Sequence, residues 1–372
     1  MEIIHLILGK ANPDRMNGVN RAVHHLATSQ AQNGLRVSVW GITPTPESAY
    51  PDGRQYATRL FRSRKNKLGL DHALSKALQE VHPGTVFHFH GGFIPEYFHA
   101  ARLLTRKGVP YIFTPHGSYN TVALRKSAWM KKCYFPLFER FVLNHARAIH
   151  LLGHSEELAM QQLNTKARHH VVPNGQDQAE LQHHHRELPR TQSPVFGFCG
   201  RIDAYTKGLD TLVSAFSDYA AAGNPGECWI IGDGPDRIKL EQQVRRLNLQ
   251  DRIVFFGALY GEEKLNRIAN MDVFLHPSRN EGLPTAVLEA SGLGVPCIVS
   301  EETNVGSVVR RFNAGIVLEK NNVQSLKESL VRFRYESNRF SLSPLKENAK
   351  RMVEEEFDWR IIAHRLQALY LS

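Results

Sequence analysis

Residues 280–297 read NEGLPTAVLEASGLGVPC and set Glu281 and Glu289 on either side of a Gly-Leu-Pro turn, with seven residues between them. Glu281 comes just before the turn, where a cleft mouth is expected. Proline suits a first helical turn, so a helix starts after Pro284. Glu289 then falls about one and a half turns in, at ~3.6 residues per turn. The first amides of that helix, near Thr285 and Ala286, have no internal partner and carry the positive end of the dipole. This arrangement suits a phosphate flanked by carboxylates, one for a sugar and one for a ribose. The competing reading is a helix with two solvated glutamates.

A second cluster stands upstream, in FGFCGRIDAYTKGLDTL. A strand ends at Cys199, Gly200 permits a tight turn, and Arg201 follows. Lys207 and Gly208 precede the next helix. In open α/β sheets ligands bind beyond the carboxyl ends of the strands, and two cations there suit a diphosphate. Gly232-Asp233-Gly234-Pro235 forms another strand-to-helix turn, without the third glycine of a dinucleotide fingerprint. In the first half, Gly18 and Val19 open a helix after the first strand and can approach a phosphate. His116-Gly117-Ser118 follows a strand, where a histidine can meet a sugar hydroxyl or move a proton, although a structural role is the default for one histidine among nineteen.

The elements that must carry these groups alternate. Candidate strands are 3–8, 36–40, 86–90, 111–114, 148–152 and 170–172, then 195–199, 228–231, 253–256, 273–276, 297–300 and 315–318. Helical spacing lies between them, as at 19–33 and 206–222. The pattern is α/β, with two doubly wound parallel-sheet domains. Residues 176–194 are polar, include three adjacent histidines and read as a linker between domains 1–175 and 195–372. Three histidines adjacent in sequence do not converge on one metal. Residues 348–371 read as one packed terminal helix, and its end, about 357–372, is placed against the first domain.

A chain of 372 residues exceeds one ordinary core. Its 42% hydrophobic and 22% charged content is that of a soluble globular protein. Four cysteines without paired spacing point to free thiols in a reducing compartment. The opening apolar run lacks a basic leader and reads as a strand, not a signal peptide. Charge is uneven: residues 1–190 hold 24 Lys and Arg against 13 Asp and Glu, while the remainder is near neutral. One domain is therefore expected to face something anionic.

In order and spacing, Gly200-Arg201, Lys207-Gly208, Gly232-Asp233-Gly234-Pro235 and Glu281 with Glu289 around Gly282-Leu283-Pro284 resemble the retaining glycosyltransferases of family four. Val171-Val172-Pro173-Asn174-Gly175 and the Gly18 turn add to the match, which covers nearly the whole chain. The resemblance implies the glycosyltransferase B fold: two Rossmann-like domains with an interdomain active-site cleft. It implies that Arg201 and Lys207 hold the donor diphosphate and stabilise its departure. Glu281 takes the donor sugar, Glu289 the ribose, and the amides around Leu283, Pro284 and Thr285 meet the phosphate. Gly200 and Gly234 shape the donor loops, Gly18 lets the backbone approach the diphosphate, and His116 contacts the sugar. No cofactor or metal is expected, since cations and helix dipole replace it. Same-face displacement is the expected route to retention, because no first-domain carboxylate stands in a convincing nucleophile position.

Two rival readings stand beside it. One is a nucleotide-sugar epimerase or phosphorylase on this fold. The other is a nucleic-acid binder, prompted by a pI near 9.5, although no nucleic-acid module is present. The basic-aromatic run 125–141, with Lys126, Trp129, Lys131 and Lys132, fits better against an anionic membrane. Its alternative is an amphipathic helix with aromatics packed inward. The expected partners are a nucleotide-sugar donor, a glycan or lipid-linked acceptor and the membrane. The expected place is the cytoplasmic face, in bacterial surface polysaccharide or lipopolysaccharide synthesis.

Overall fold

The computed structural model describes residues 1–12, 18–46, 53–64, 69–119, 124, 128–163, 165–184, 193–339 and 342–371. The chain divides into two units, Met1–Gly175 with Trp359–Ser372, and Gln176–Asp358.

The first unit holds a seven-stranded sheet. Its strands are β1 (Glu2–Leu8), β2 (Arg36–Thr43), β3 (Ala57–Arg62), β4 (Thr85–His90), β5 (Tyr111–Thr114), β6 (Ala148–Leu151) and β7 (Arg168–Val171). They lie in the order β3-β2-β1-β4-β5-β6-β7, and every pair is parallel. The inner strands β1, β2, β5 and β6 are largely apolar runs, buried on both faces. β3 is absent from the sequence reading. It is an edge strand whose Arg59 and Arg62 break the apolar signal, and only Phe61 is fully buried.

One face of this sheet is covered by the helices Gly18–Gln32 and Trp359–Leu371. Ile3, Ile7, Val86 and Ile112 meet Val23, Leu26, Ile362 and Leu366 there. Each such side chain contributes about 1.5–3 kcal/mol on burial. The single terminal helix expected over 348–371 is two helices, Ser343–Glu356 and Trp359–Leu371. They break at Phe357 and Asp358, where Phe357 accepts from the Gln176 amide at 2.6 Å. The first helix packs in the second unit and the last belongs to the first.

The second unit holds β8 (Val195–Cys199), β9 (Glu227–Ile231), β10 (Ile253–Gly257), β11 (Val273–His276), β12 (Cys297–Val299) and β13 (Gly315–Val317). The order is β10-β9-β8-β11-β12-β13, again all parallel. Two hydrophobic clusters fill its faces. Leu181 is buried in one of them, so the start of the polar stretch 176–194 is part of this unit and not free linker. Cys199, Cys228 and Cys297 are buried thiols, and Cys133 is exposed.

In both sheets the strand order reverses once, beside β1 and beside β8. The carboxyl ends of β1 and β4, and of β8 and β11, are therefore the topological switch points where this architecture opens a crevice.

Candidate active site

At the β8/β11 switch point, three loops are drawn together. Gly208 has φ +66°, and a Cβ there would lie 1.9 Å from the Pro277 carbonyl oxygen. Only glycine allows that approach, which seats the 201–208 loop against the loop after β11. Gly234 is close-packed too, since a Cβ would stand 2.3 Å from the Ile202 oxygen. The Ile202 amide also donates to the Asp233 carbonyl at 2.9 Å. Gly200 turns the chain at φ +158°.

That seating brings Lys207 Nζ onto Glu281 Oε1 in an ion pair. The same carboxylate accepts from His276 Nε2 at 2.9 Å. His276 ends β11, is buried, and lies between the Phe198 and Phe274 rings at centroid distances of 5.5 and 6.1 Å. Burial lowers its pKa and the Glu281 bond recovers part of that, so the ring is neutral and Nε2 carries the proton. Burial by itself would raise the Glu281 carboxyl. The His276 bond and the Lys207 charge outweigh it and hold the group at about 2. Glu281 is thus a carboxylate with a fixed direction.

This has a consequence for acid stability. The folded state favours the ionised form, so the contribution of Glu281 is fully present above the ordinary value near 4.5 and is lost as pH falls towards 2. Melting curves of wild type and Glu281→Gln should show the wild type losing its advantage across that window. A constant difference between the two would contradict the assignment.

The turn after Glu281 is held from behind. Asn304 Nδ2 donates to the carbonyls of Glu281 and Gly282 at 2.8 and 2.7 Å. Leu283 is buried, Pro284 is the N-cap with ψ 107°, and the helix runs Thr285–Gly292. Val287 N already donates to the Pro284 carbonyl, and among the described residues the Thr285 and Ala286 amides at the helix start have no backbone acceptor. Glu289 is buried, with Lys264 Nζ at 2.8 Å from its carboxylate. Arg201 is exposed at the end of β8. The site therefore groups Lys207, Glu281, His276 and the helix start, flanked by Arg201 and by the Glu289–Lys264 pair.

His276, Lys264 and Asn304 are absent from the sequence reading. His276 had a signal, because it closes an apolar strand five residues before Glu281. Lys264 sits on the helix Gly261–Ala269, 25 residues from its partner, and carries no local mark.

In the first unit, His116 follows β5 with φ +50° and bonds through Nε2 to His90 Nδ1 at 2.9 Å. Glu156 Oε1 accepts from the Gly117 amide and Oε2 from the Leu152 amide, which pins the His116 loop. Gly18 opens the helix Gly18–Gln32, and a Cβ there would meet nothing within 4 Å. Buried Glu139, raised to about 7 by burial, accepts from the Phe93 amide and from Tyr119. Both buried carboxylates thus serve loops.

Two family descriptions match the chain in tandem: Glycosyltransferase Family 4 over residues 16–180, and Glycosyl transferases group 1 over residues 179–352. The chain belongs to the group 1 glycosyltransferases. Among its relatives, 2-deoxystreptamine glucosyltransferase of Streptomyces kanamyceticus is 31% identical over 63% of this chain and 62% of that protein. The UDP-Gal:alpha-D-GlcNAc-diphosphoundecaprenol alpha-1,3-galactosyltransferase of Escherichia coli is 30% identical, over 63% of this chain and 62% of that protein. The match thus spans about three fifths of the length of these relatives. Of solved structures, sucrose-phosphate synthase of Thermosynechococcus elongatus superposes with TM-score 0.77 at 19% identity, covering 100% of this chain and 98% of the other. The lipopolysaccharide outer core galactosyltransferase WaaB gives 0.75 at 14%, covering 100% and 99%. These likenesses fix the fold of the group 1 chain as two Rossmann-like units.

Proposed function

We propose that the protein moves a sugar from a nucleotide-sugar donor to a glycan or lipid-linked acceptor, with retention at the anomeric carbon and without a metal. The observation that carries this is the Lys207–Glu281–His276 assembly at the β8/β11 switch point. In the resting site Lys207 and Glu281 neutralise each other. A donor diphosphate takes the Lys207 ammonium, assisted by Arg201 and the amides of Thr285 and Ala286. Glu281, oriented by neutral His276, is then released towards sugar hydroxyls. Glu289 faces the ribose. Leaving-group charge develops where these donors already point, which is the most effective form of electrostatic catalysis. Same-face displacement, with the departing phosphate oxygen taking the acceptor proton, agrees with the loop-holding duties of Glu139 and Glu156. Surface polysaccharide or lipopolysaccharide assembly fits the E. coli relative, whose name specifies a lipid-diphosphate acceptor.

Incubation with UDP-, GDP- and ADP-sugars plus a lipid extract tests the reading. Nucleoside diphosphate release that depends on the extract, with a new glycolipid, supports it. An epimerised nucleotide sugar formed without acceptor would replace it with the epimerase reading.

Metal independence has its own test. Transfer is expected to persist in excess EDTA, because Arg201 and Lys207 supply the positive charge. Loss of activity that Mg²⁺ or Mn²⁺ restores would refute that part.

The membrane reading rests on the helix Ala128–Tyr134, which has no buried residue. Trp129, Met130 and Leu137 are 77%, 61% and 66% exposed. Lys132 is exposed beside them, and Lys131 Nζ stands 4.8 Å over the Phe93 ring. Lys126 lies outside the described residues. A five-residue π-helix, Phe135–Glu139, follows. Only part of the aromatic set packs inward, as with Phe138 against Phe98. Among the described residues no helix is long and apolar enough to cross a membrane. The contact proposed is a peripheral one, on the cytoplasmic face. Each cation near an anionic surface contributes ~1 kcal/mol. The double variant Lys131→Glu, Lys132→Glu should leave anionic vesicles in flotation at low salt while keeping transfer to a soluble acceptor. Wild-type protein that ignores such vesicles would refute the contact.

A further inference from the structure

The first sheet carries polar side chains where its neighbours carry isoleucine and valine. His5 on β1, His88 and His90 on β4, Thr114 on β5 and His150 on β6 share one face, by the registers of the strands. That face is the one covered by the helices Gly18–Gln32 and Trp359–Leu371. All five are buried. Burial holds His5 and His150 near 4 and His88 and His90 well below the ordinary imidazole value, so all four rings are neutral.

Their hydrogen bonds form one continuous chain, and one end fixes its direction. The Val172 carbonyl can only accept, so His150 Nε2 donates to it at 2.7 Å. A neutral ring then has a bare Nδ1, which takes the Thr114 hydroxyl proton at 2.7 Å. Thr114 in turn accepts from His88 Nε2 at 2.6 Å. His88 Nδ1 takes the Tyr370 hydroxyl proton at 2.8 Å. The Tyr370 oxygen accepts from Gln30 Nε2 at 3.0 Å, and Gln30 Oε1 accepts from His5 Nε2 at 2.7 Å. His5 Nδ1 then accepts from His90 Nε2, and His90 Nδ1 from His116 Nε2, both at 2.9 Å. Reversing any one link would require a second proton on a buried ring, or two donors or two acceptors facing each other.

We infer that this chain fixes His116 in the tautomer with Nε2–H turned inward, presenting Nδ1 as a bare acceptor, so that His116 receives a hydrogen bond from a substrate hydroxyl and does not give one. The sugar-contact half of the inference rests on the glycosyl-transfer reading under Proposed function and on the sugar contact that the family resemblance implies for His116; the tautomer half rests on neither. Tyr370, Gln30, Thr114 and His150 are positioning residues, acting on the substrate only through His116. Tyr370 ties the last helix of the chain to that task.

The same face admits a rival. Ligand atoms of His5, His88 and His90 lie within 4.8 Å of one another, as a metal site requires. Each of these nitrogens already has a partner in the chain, and a metal would have to displace several of those bonds. The hydrogen-bonded chain is therefore the arrangement the observations favour.

The experiment is long-range nitrogen–proton correlation on the full-length protein labelled with ¹⁵N-histidine, at neutral pH. His5, His88, His90, His116 and His150 are each expected to show a protonated Nε2 and a bare Nδ1. In Tyr370→Phe the Gln30 amide is free to turn over, so His5, His90 and His116 should become tautomer mixtures. Transfer should fall about two- to tenfold, the value of one net hydrogen bond. An Nδ1–H form or a doubly protonated ring among the five would overturn the inference, as would stoichiometric metal in the isolated protein. So would a His116 spectrum unchanged in Tyr370→Phe. If that variant does not fold, the wild-type spectrum alone decides. Uniform tautomers in a protein that transfers no sugar would sink the sugar-contact reading while the chain stands.

Discussion

Lys207→Ala and Glu281→Ala are each expected to lower the rate of the proposed sugar transfer by about 10²–10³, as removal of one charge-stabilising group does. The two losses arise differently. Without Lys207, the leaving diphosphate loses its nearest ammonium and Glu281 loses its cation, keeping the His276 and Ser278 hydrogen bonds. Without Glu281, Lys207 is free but the sugar has no oriented carboxylate. Both side chains are at least four-fifths buried, at 20% and 13% exposure, so each single variant leaves an incompletely paired charge. Circular dichroism and melting must therefore accompany the kinetics. The double variant Lys207→Ala, Glu281→Ala removes the unpaired charge and should recover stability without recovering transfer. Near-normal turnover in either folded single variant would refute the roles given to both.

Gly208→Ala is expected to destabilise the second unit by more than 2 kcal/mol and to abolish donor binding. Two terms combine. At φ +66° an L side chain pays for a left-handed conformation. Its Cβ would also stand 1.9 Å from the Pro277 oxygen, a backbone atom that cannot swing away as a flexible side chain could. Relief requires the 201–208 loop to lift off the loop after β11, which separates Lys207 from Glu281. Gly223→Ala is the control, with φ +75° but no heavy atom within 4 Å of the added Cβ. It should show the conformational cost without the clash. Equal melting temperatures for the two variants would show that the close approach does not hold the site together.

How far the sequence could be read depended on whether a feature was local. The inner strands were legible because they are buried on both faces and read as apolar runs. β3 was not, because edge exposure lets Arg59 and Arg62 interrupt the run. The break at Phe357 and Asp358 was invisible because both flanking segments keep helical spacing. Glu281 and Glu289 were legible because a turn and a helix start mark their places. Lys207 was legible in its own loop, but its pairing with Glu281 was not, since that pairing spans the fold; Lys264 likewise reaches Glu289 across the fold, and Asn304 clamps the turn from 22 residues away. The histidine chain shows the same limit. The alternation His88-Phe89-His90 hints at a polar face, but only strand register brings His5 and His150 into line with it.

The most direct test of the donor site is a thermal-shift titration with UDP-, GDP- and ADP-sugars on wild type and Arg201→Ala. Arg201 is exposed, so the variant should melt as the wild type does without ligand. A donor at 100 times its Kd adds about 2.7 kcal/mol to stability. The account predicts a saturable rise in melting temperature with one nucleotide class, strongly reduced in Arg201→Ala. No rise with any of the three, or an equal rise in both proteins, would contradict the assignment of the β8/β11 edge as the donor diphosphate site.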